Sequence, residues 1–358
     1  MVSYIVHKIG YAFLTLFGVV TVIFFLFNIL PGDPAKMMLG QNQTEEQVAI
    51  VKKKYGFDKP VLTQYVYYLN DLSLLSFHST QKDDYTFLSE DKYSALQLFT
   101  IGNTTTVIKL PYLRESFQKS GKKVSQVIGE TLPNTIVLAI AAISIAMFLG
   151  LIFGVISAIY KDTFIDKLIQ IISTLGMSVP SFFSAILFAW IFGFLLHEFT
   201  NLNMTGSLYE VDDFGESISI RWKNLILPAI VLGIRPLAVV IQLMRNSLLE
   251  VFNQDYIRTA RAKGLSEFQV VKKHAIKNAL NPVITAISGW FASMLAGAVF
   301  VEYIFGWNGL GKEIVDALNS QDLPIIMGSV LIIATMFVII NILVDIIYAY
   351  LDPKIRLQ

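Results

Sequence analysis

Arg235 stands in an otherwise apolar run, Asn224–Met244, about ten residues and hence ~15 Å from either end. A guanidinium at that depth of a membrane span costs at least about 2.5–3.5 kcal/mol, so it must face a cavity or a partner rather than lipid. Pro228 and Pro236 can loosen the helix there and free backbone carbonyls. Two uses compete for this cation: a structural ion pair or link to another subunit, and a lining position that attracts an anionic group. Asp345 falls nearer one membrane face and Glu302 nearer the other, so neither is level with it. A second set with chemical potential, Gly306-x4-Gly311-Lys312, has the spacing of a phosphate-binding loop. Glu313 follows where Ser or Thr would ligate magnesium, and its charge would repel phosphate. Nucleotide binding by this chain is therefore not expected. The chain has no cysteine, which excludes disulfides, thiolate metal sites and cysteine catalysis. His274 is a lone histidine on a basic stretch, and no Ser/His/Asp or paired-carboxylate set converges in the sequence. The expectation is no enzyme and no resident metal.

The elements that position these residues are apolar runs. Hydrophobic residues make up 54% of the chain and charged residues only 15%, well below the roughly 25% of a soluble domain. Six runs reach the length of a membrane helix: Ile9–Leu30, Thr131–Tyr160, Leu168–Leu196, Asn224–Met244, Asn278–Val301 and Leu323–Val344. Pro180 predicts a kink in the third. The first run is too long for a signal-peptide core and no small-x-small site follows it, so it reads as an uncleaved span. The loop from 245 to 277 is basic, with Arg245, Arg258, Arg261, Lys263, Lys272, Lys273 and Lys277, whereas 197–223 and 302–322 lean acidic. The positive-inside rule puts that loop and both termini in the cytoplasm, and the segment 31–130 outside.

Between the first two runs, Leu30-Pro31-Gly32-Asp33-Pro34 predicts a hard turn, followed by helices over Glu45–Tyr55 and Val61–Leu75 and polar text from His78 to Lys123. The 245–277 loop predicts one helix over Leu248–Lys263 that stops at Gly264, and a second from Ser266, its N-cap, to Ala279. Composition alone leaves two readings of this pair: an amphipathic element on anionic lipid, or a stiff projection presented to a protein. Trp190, Trp222, Trp290 and Trp307 read as interface anchors or core.

The stretch Tyr256-Ile257-Arg258-Thr259-Ala260-Arg261-Ala262-Lys263-Gly264-Leu265, preceded by Asp255, closely resembles the coupling loop of permease subunits in the oligopeptide/dipeptide/nickel branch of ATP-binding-cassette importers. The resemblance continues through His274-Ala275, Asn278-Ala279 and Pro282. It extends to Leu30–Ala35, Tyr55–Pro60, Leu132-Pro133-Asn134-Thr135, Glu302–Gly311 with Asn308 in place of the usual proline, and Leu351-Asp352-Pro353. Residues 78–122 are longer and more polar than the family's corresponding loop.

This resemblance implies an all-α membrane protein with six transmembrane helices, of the type I importer permease fold, with an extracytoplasmic segment between spans 1 and 2. It implies a first helix over 1–30, an extracytoplasmic segment over 31–123, a permease domain over 124–350 and a cytoplasmic tail over 351–358. Asp255, Tyr256, Arg258, Thr259, Ala260, Ala262, Lys263 and Gly264 are then the ATPase-coupling residues, and Arg235 a candidate for the translocation path, where it would attract a peptide carboxylate. The implied partners are a homologous second permease, two ATPase subunits that bind ATP and Mg, an extracytoplasmic solute-binding protein and the lipid of a bacterial inner membrane, with no nucleic acid. Peptide is the first expectation for the solute and nickel or a nickel chelate the second. The rival class, a self-contained channel or ion-coupled carrier, would need polar residues through several spans, and only Arg235 and Asp345 are on offer.

Overall fold

The structure, a computed structural model, describes residues 2–29, 33–39, 44–90, 92–211 and 217–351. Leu30, Pro31 and Gly32 of the expected turn, Asp91, the acidic residues Asp212, Asp213 and Glu216, and the end of the chain from Asp352, with Pro353, Lys354 and Arg356, lie outside the described residues. The chain divides into two compact units, residues 1–130 with 313–335 and residues 131–312 with 336–358.

In the first unit the elements are α1 (Val2–Ile29), α2 (Pro34–Leu39), α3 (Glu45–Tyr55), α4 (Val61–Leu72), β1 (Leu75–Ser79), β2 (Ala95–Ile101) and β3 (Thr104–Lys109). α3 opens with a capping box between Thr44 and Gln47 and closes at Gly56, whose φ of +72° is the left-handed cap that a glycine takes without strain. Val20, Ile23 and Phe24 of α1 pack with Tyr68 of α4 and with Met327 and Leu331. The three strands form an antiparallel sheet in the order β1-β3-β2, and the β2–β3 hairpin turns through Gly102 at φ +57°. The sequence reading had no strands in this segment.

Asp71 ties α4 to this sheet and to the segments that flank it. Asp71, 1% exposed, accepts hydrogen bonds from the Tyr85 and Tyr93 hydroxyls and from Arg114 Nε, each at 3.0 Å. Its carbonyl takes the Lys109 ammonium. Arg114 lies over the Tyr68 and Tyr85 rings. Burial pushes the Tyr85 and Tyr93 phenols up and the Lys109 ammonium down, so at neutral pH the phenols stay donors. Asp322 does a similar job, accepting from Ser116 Oγ and from the amides of Phe117 and Gln118. Residues 78–122 therefore supply the walls of this unit and are not a detachable loop.

The remaining elements are α5 (Val124–Ile159), α6 (Phe164–Ser178), α7 (Ser181–Phe188), α8 (His197–Thr200), the hairpin β4 (Tyr209–Val211) and β5 (Ile218–Ile220), α9 (Lys223–Phe252), α10 (Asp255–Ala262), α11 (Glu267–Val270), α12 (Ile276–Gly297), α13 (Val299–Phe305), α14 (Leu310–Ser320) and α15 (Leu323–Leu351). Among the described residues five helices are long and apolar enough to cross a membrane, or six if α6 and α7, the latter continued by a π-helical stretch Ala189–Leu195, make one broken span. That pair is bent by 108°, more than a kink: Val179 and Pro180 are both extended, as the residue before proline prefers, and the helix restarts at Ser181. The membrane elements are helical as expected.

α5 and α9 meet along a seam of small residues. A Cβ at Gly150 would stand 2.5 Å from Val240 Cγ1, and one at Gly154 2.7 Å from Met244 Cβ. Where lipid offers no hydrophobic drive between helices, such close approach supplies the packing.

Candidate coupling segment and intramembrane cavity

α9 does not stop at Met244 but continues to Phe252, so the polar loop is shorter than its sequence suggests. Gln254, extended at φ −76° and ψ 148°, then turns the chain, and α10 starts with Asp255 in its first turn, where a negative charge suits the helix dipole. The expected single helix over Leu248–Lys263 is thus two helices. Gly264, at φ +79°, ends the second, and a Cβ there would meet nothing within 4 Å. Ser266 caps α11 through a capping box with Gln269. α11 then passes through a π-helical turn, Val271–Ala275, into α12 without a break.

The knuckle formed by α10, Gly264 and α11 has a firm inner face. Ile257 and Ala260 are buried with Val270, Ala275 and Ala279 against Met244 and Leu248 of α9. Asn278 Nδ2 donates to the Tyr256 hydroxyl at 3.0 Å, and Arg261 makes a two-point pair with Glu267 at 2.8 and 3.1 Å. The outer face carries Asp255, Tyr256, Arg258, Thr259, Ala262, Lys263 and Gly264, all exposed. Of the eight residues expected to couple, the structure gathers seven on this surface and places Ala260 in the core, as a packing residue. Phe268 of α11, outside the motif residues, is 72% exposed beside them. An open groove of about 880 Å³ runs beside it, walled by Leu249, Phe252, Phe268 and Val271 with Arg261 and Lys272.

Arg235 projects from α9 and is exposed, with no ion pair or hydrogen bond among the described residues. The structural ion pair weighed for it is therefore not made inside the described chain. Its guanidinium borders a cavity of about 130 Å³ that is also lined by Gly176, Ser181, Ser184, Trp290 and Ser293. The ion pair that does form in these helices joins two residues the sequence did not single out together. Arg245 Nη2 and Nε reach Asp166 at 2.7 and 2.8 Å, and Ser157 and the amide of Asp162 complete the carboxylate's shell.

The stretch with phosphate-loop spacing is built around a carboxylate of its own. Glu302, fully buried, accepts from the amides of Gly311 at 2.7 Å and Lys312 at 3.2 Å, the donors a phosphate would need. Trp307, also fully buried, donates to the Asn134 carbonyl at 3.0 Å. Among the described residues no group of three His, Asp or Glu could hold a metal ion.

Residues 150–357 match the family described as binding-protein-dependent transport system inner membrane component, and residues 1–83 match its N-terminal counterpart. The chain is 33% identical, over 99% of both lengths, to a putative peptide permease protein of Brucella suis biovar 1. It is 32% identical to the di/tripeptide transport system permease protein DppB of Pseudomonas aeruginosa, over the whole of both chains, and 32% identical to the dipeptide permease DppB of Alkalihalophilus pseudofirmus, over 99% and 100%. Among solved structures, an inward-facing methionine transporter MetNI matches at 15% identity and a TM-score of 0.49, covering 64% of this chain and 97% of that one. The chain therefore belongs to the inner membrane components of binding-protein-dependent transport systems, the permeases of ATP-binding-cassette importers.

Proposed function

We propose that the chain forms half of a translocation path for peptides across the bacterial cytoplasmic membrane, driven by ATP that separate ATPase subunits bind with Mg and hydrolyse. It pairs with a homologous second permease. Two ATPase subunits dock on the knuckle around Gly264, and an extracytoplasmic binding protein delivers solute to the opposite mouth. Both termini and the knuckle are cytoplasmic and the segment 31–130 lies outside, in line with the basic character of 245–277. ATP binding closes the ATPase pair, moves the knuckle and opens the path outward; hydrolysis resets it. The peptide assignment draws on the names of the permeases it is most usefully compared with, those of Pseudomonas aeruginosa and Alkalihalophilus pseudofirmus.

The observation that carries this reading is the division of labour within the knuckle. Its inner face is buried on α9 and α12, so a push on its outer face moves two membrane helices with it. A basic helix lying on lipid would be expected to turn its apolar side, not its charged side, outward. Gly264→Asp tests it. The new side chain meets nothing within 4 Å, and the left-handed φ of +79° costs it about 1–2 kcal/mol, a strain Asp bears better than most residues, while a carboxylate is set into the docking surface. The expected result is normal membrane insertion, with ATPase co-purification and peptide uptake both lost. A mutant that assembles with the ATPase and transports normally would show that docking lies elsewhere.

A further inference from the structure

We propose that Arg235, Ser184 and Trp290 form a subsite for a carboxylate group, in the first place the C-terminal carboxylate of a transported peptide. This rests on the peptide-permease reading above. The cavity beside Arg235 has Arg235, Trp290, Ser181, Ser184 and Ser293 as its polar residues, set among apolar ones such as Val231 and Met294, with no Asp or Glu in its wall. Arg235 itself has no partner among the described residues. Ser184 is only 8% exposed, yet its hydroxyl also makes no hydrogen bond among the described residues, not even the bond to the preceding turn that Ser173 and Ser178 make. Its oxygen is not sealed in, as the partnerless Glu302 Oε1 and Ser329 Oγ are, so the hydroxyl is left open to a ligand in the cavity that Ser184 lines.

The backbone adds to this. α7 begins at Ser181 without a side-chain cap, so its first amides, with the positive end of the helix dipole, are left to other acceptors. The sharp break at Val179-Pro180 is what brings that helix start to the same cavity. The volume, about 130 Å³, decides the scale of the ligand. It resembles a cavity that holds one benzene-sized group, so it takes a terminus and not a whole peptide. Arginine suits the task because its planar fork meets both oxygens of a carboxylate at once.

The test uses the complete transporter, with its ATPases and second permease, purified into nanodiscs without the binding protein. The probes are Ala-Ala, its C-terminal amide, and acetate, and the readout is the rise in unfolding temperature with concentration. Ala-Ala and acetate are expected to stabilise the wild type saturably, and the amide about ten-fold more weakly, as for loss of one charge-assisted contact. Arg235→Gln should lose that selectivity, Arg235→Lys should keep part of it, and Ser184→Ala should weaken the acid without affecting the amide. Equal response to acid and amide, or unchanged acid binding in Arg235→Gln, would overturn the subsite. So would failure of Arg235→Gln to co-purify with the second permease, which would make Arg235 a subunit contact. If acetate responds through Arg235 but the transporter neither binds nor imports peptides, the carboxylate subsite stands and the peptide reading falls. If Arg235→Gln imports peptides normally, the subsite falls and the permease reading stands.

Discussion

Asp166 and Arg245 show how a charge can be kept among membrane helices. The Asp166 side chain is 4% exposed and Arg245 18%. Two guanidinium contacts, the Ser157 hydroxyl and one backbone amide occupy the carboxylate oxygens, so its hydrogen-bonding capacity is used. Breaking such a pair from one side leaves the other charge desolvated and alone, at about 3–5 kcal/mol, whereas removing both costs much less. Asp166→Asn and Arg245→Gln should each lower the unfolding temperature in a common detergent, and the double variant should be more stable than the sum of the two losses implies. Strict additivity would mean the pair is not coupled. At this scale legibility in the sequence is uneven. Arg235 is legible because a cation deep in an apolar run has few explanations. Asp166 and Arg245 are not, because each sits among polar neighbours at the end of a run and only their meeting across α6 and α9 marks them. The burial of Ala260 is not legible for the reverse reason: a motif records exposed and buried residues in one string.

The helices were legible from hydrophobic length, since a span must be long and apolar, and Pro180, Gly264 and Ser266 marked a break, a stop and a start, but the end of α9 and its separation from α10 were not legible. α9 runs on to Phe252 because Leu248 continues its buried face after the membrane-length run is over. The strand β2 escaped for a different reason. β2 is exposed along nearly its whole length, so it lacks the alternation that identifies a half-buried strand. Helix packing follows from glycines whose role appears only when two elements are brought together. Gly154 and Gly129 share α5, yet a Cβ on Gly154 would meet Met244 Cβ at 2.7 Å and the Ile241 carbonyl at 3.0 Å, and one on Gly129 would meet nothing within 4 Å. Gly154→Val should therefore force the α5–α9 seam apart, at about 1–3 kcal/mol of overpacking. Gly129→Ala should be neutral, or stabilising by about 0.5–1 kcal/mol through helix propensity. Size-exclusion profiles and unfolding temperatures of the two variants would check the contrast. Equal effects would mean the seam is not close-packed.

At the scale of the molecule, the two compact units hold buried titratable groups whose pH responses have opposite sign. In the first, burial pulls the His78 imidazole below its usual value of 6.5, while its Nδ1 bonds the Thr86 carbonyl. The unfolded chain then takes up a proton that the folded unit refuses, so this unit loses stability as pH falls below about 6.5. In the second, burial pushes the Glu302 carboxyl up to about 7 from 4.5, against the Thr135 hydroxyl and the amides of Lys312 and Gly311, which favour the anion. Here the folded unit binds the proton more tightly. Its contribution is fully present below about pH 4.5 and is lost as pH rises to about 7, a range worth at most roughly 3 kcal/mol. Trp190, Trp222, Trp290 and Trp307 all fall in residues 131–312, so indole fluorescence reports the second unit alone. Its unfolding midpoint should rise by several degrees between pH 7.5 and 5.5. Glu302→Gln, which resembles the protonated acid and carries an amide where Oε1 has no hydrogen-bond partner, should flatten that rise and leave the midpoint at pH 5.5 close to wild type. If the variant keeps the wild-type slope, the proton taken up on folding is not on Glu302, and the carboxylate beneath Gly311 is held as an anion by its two amides.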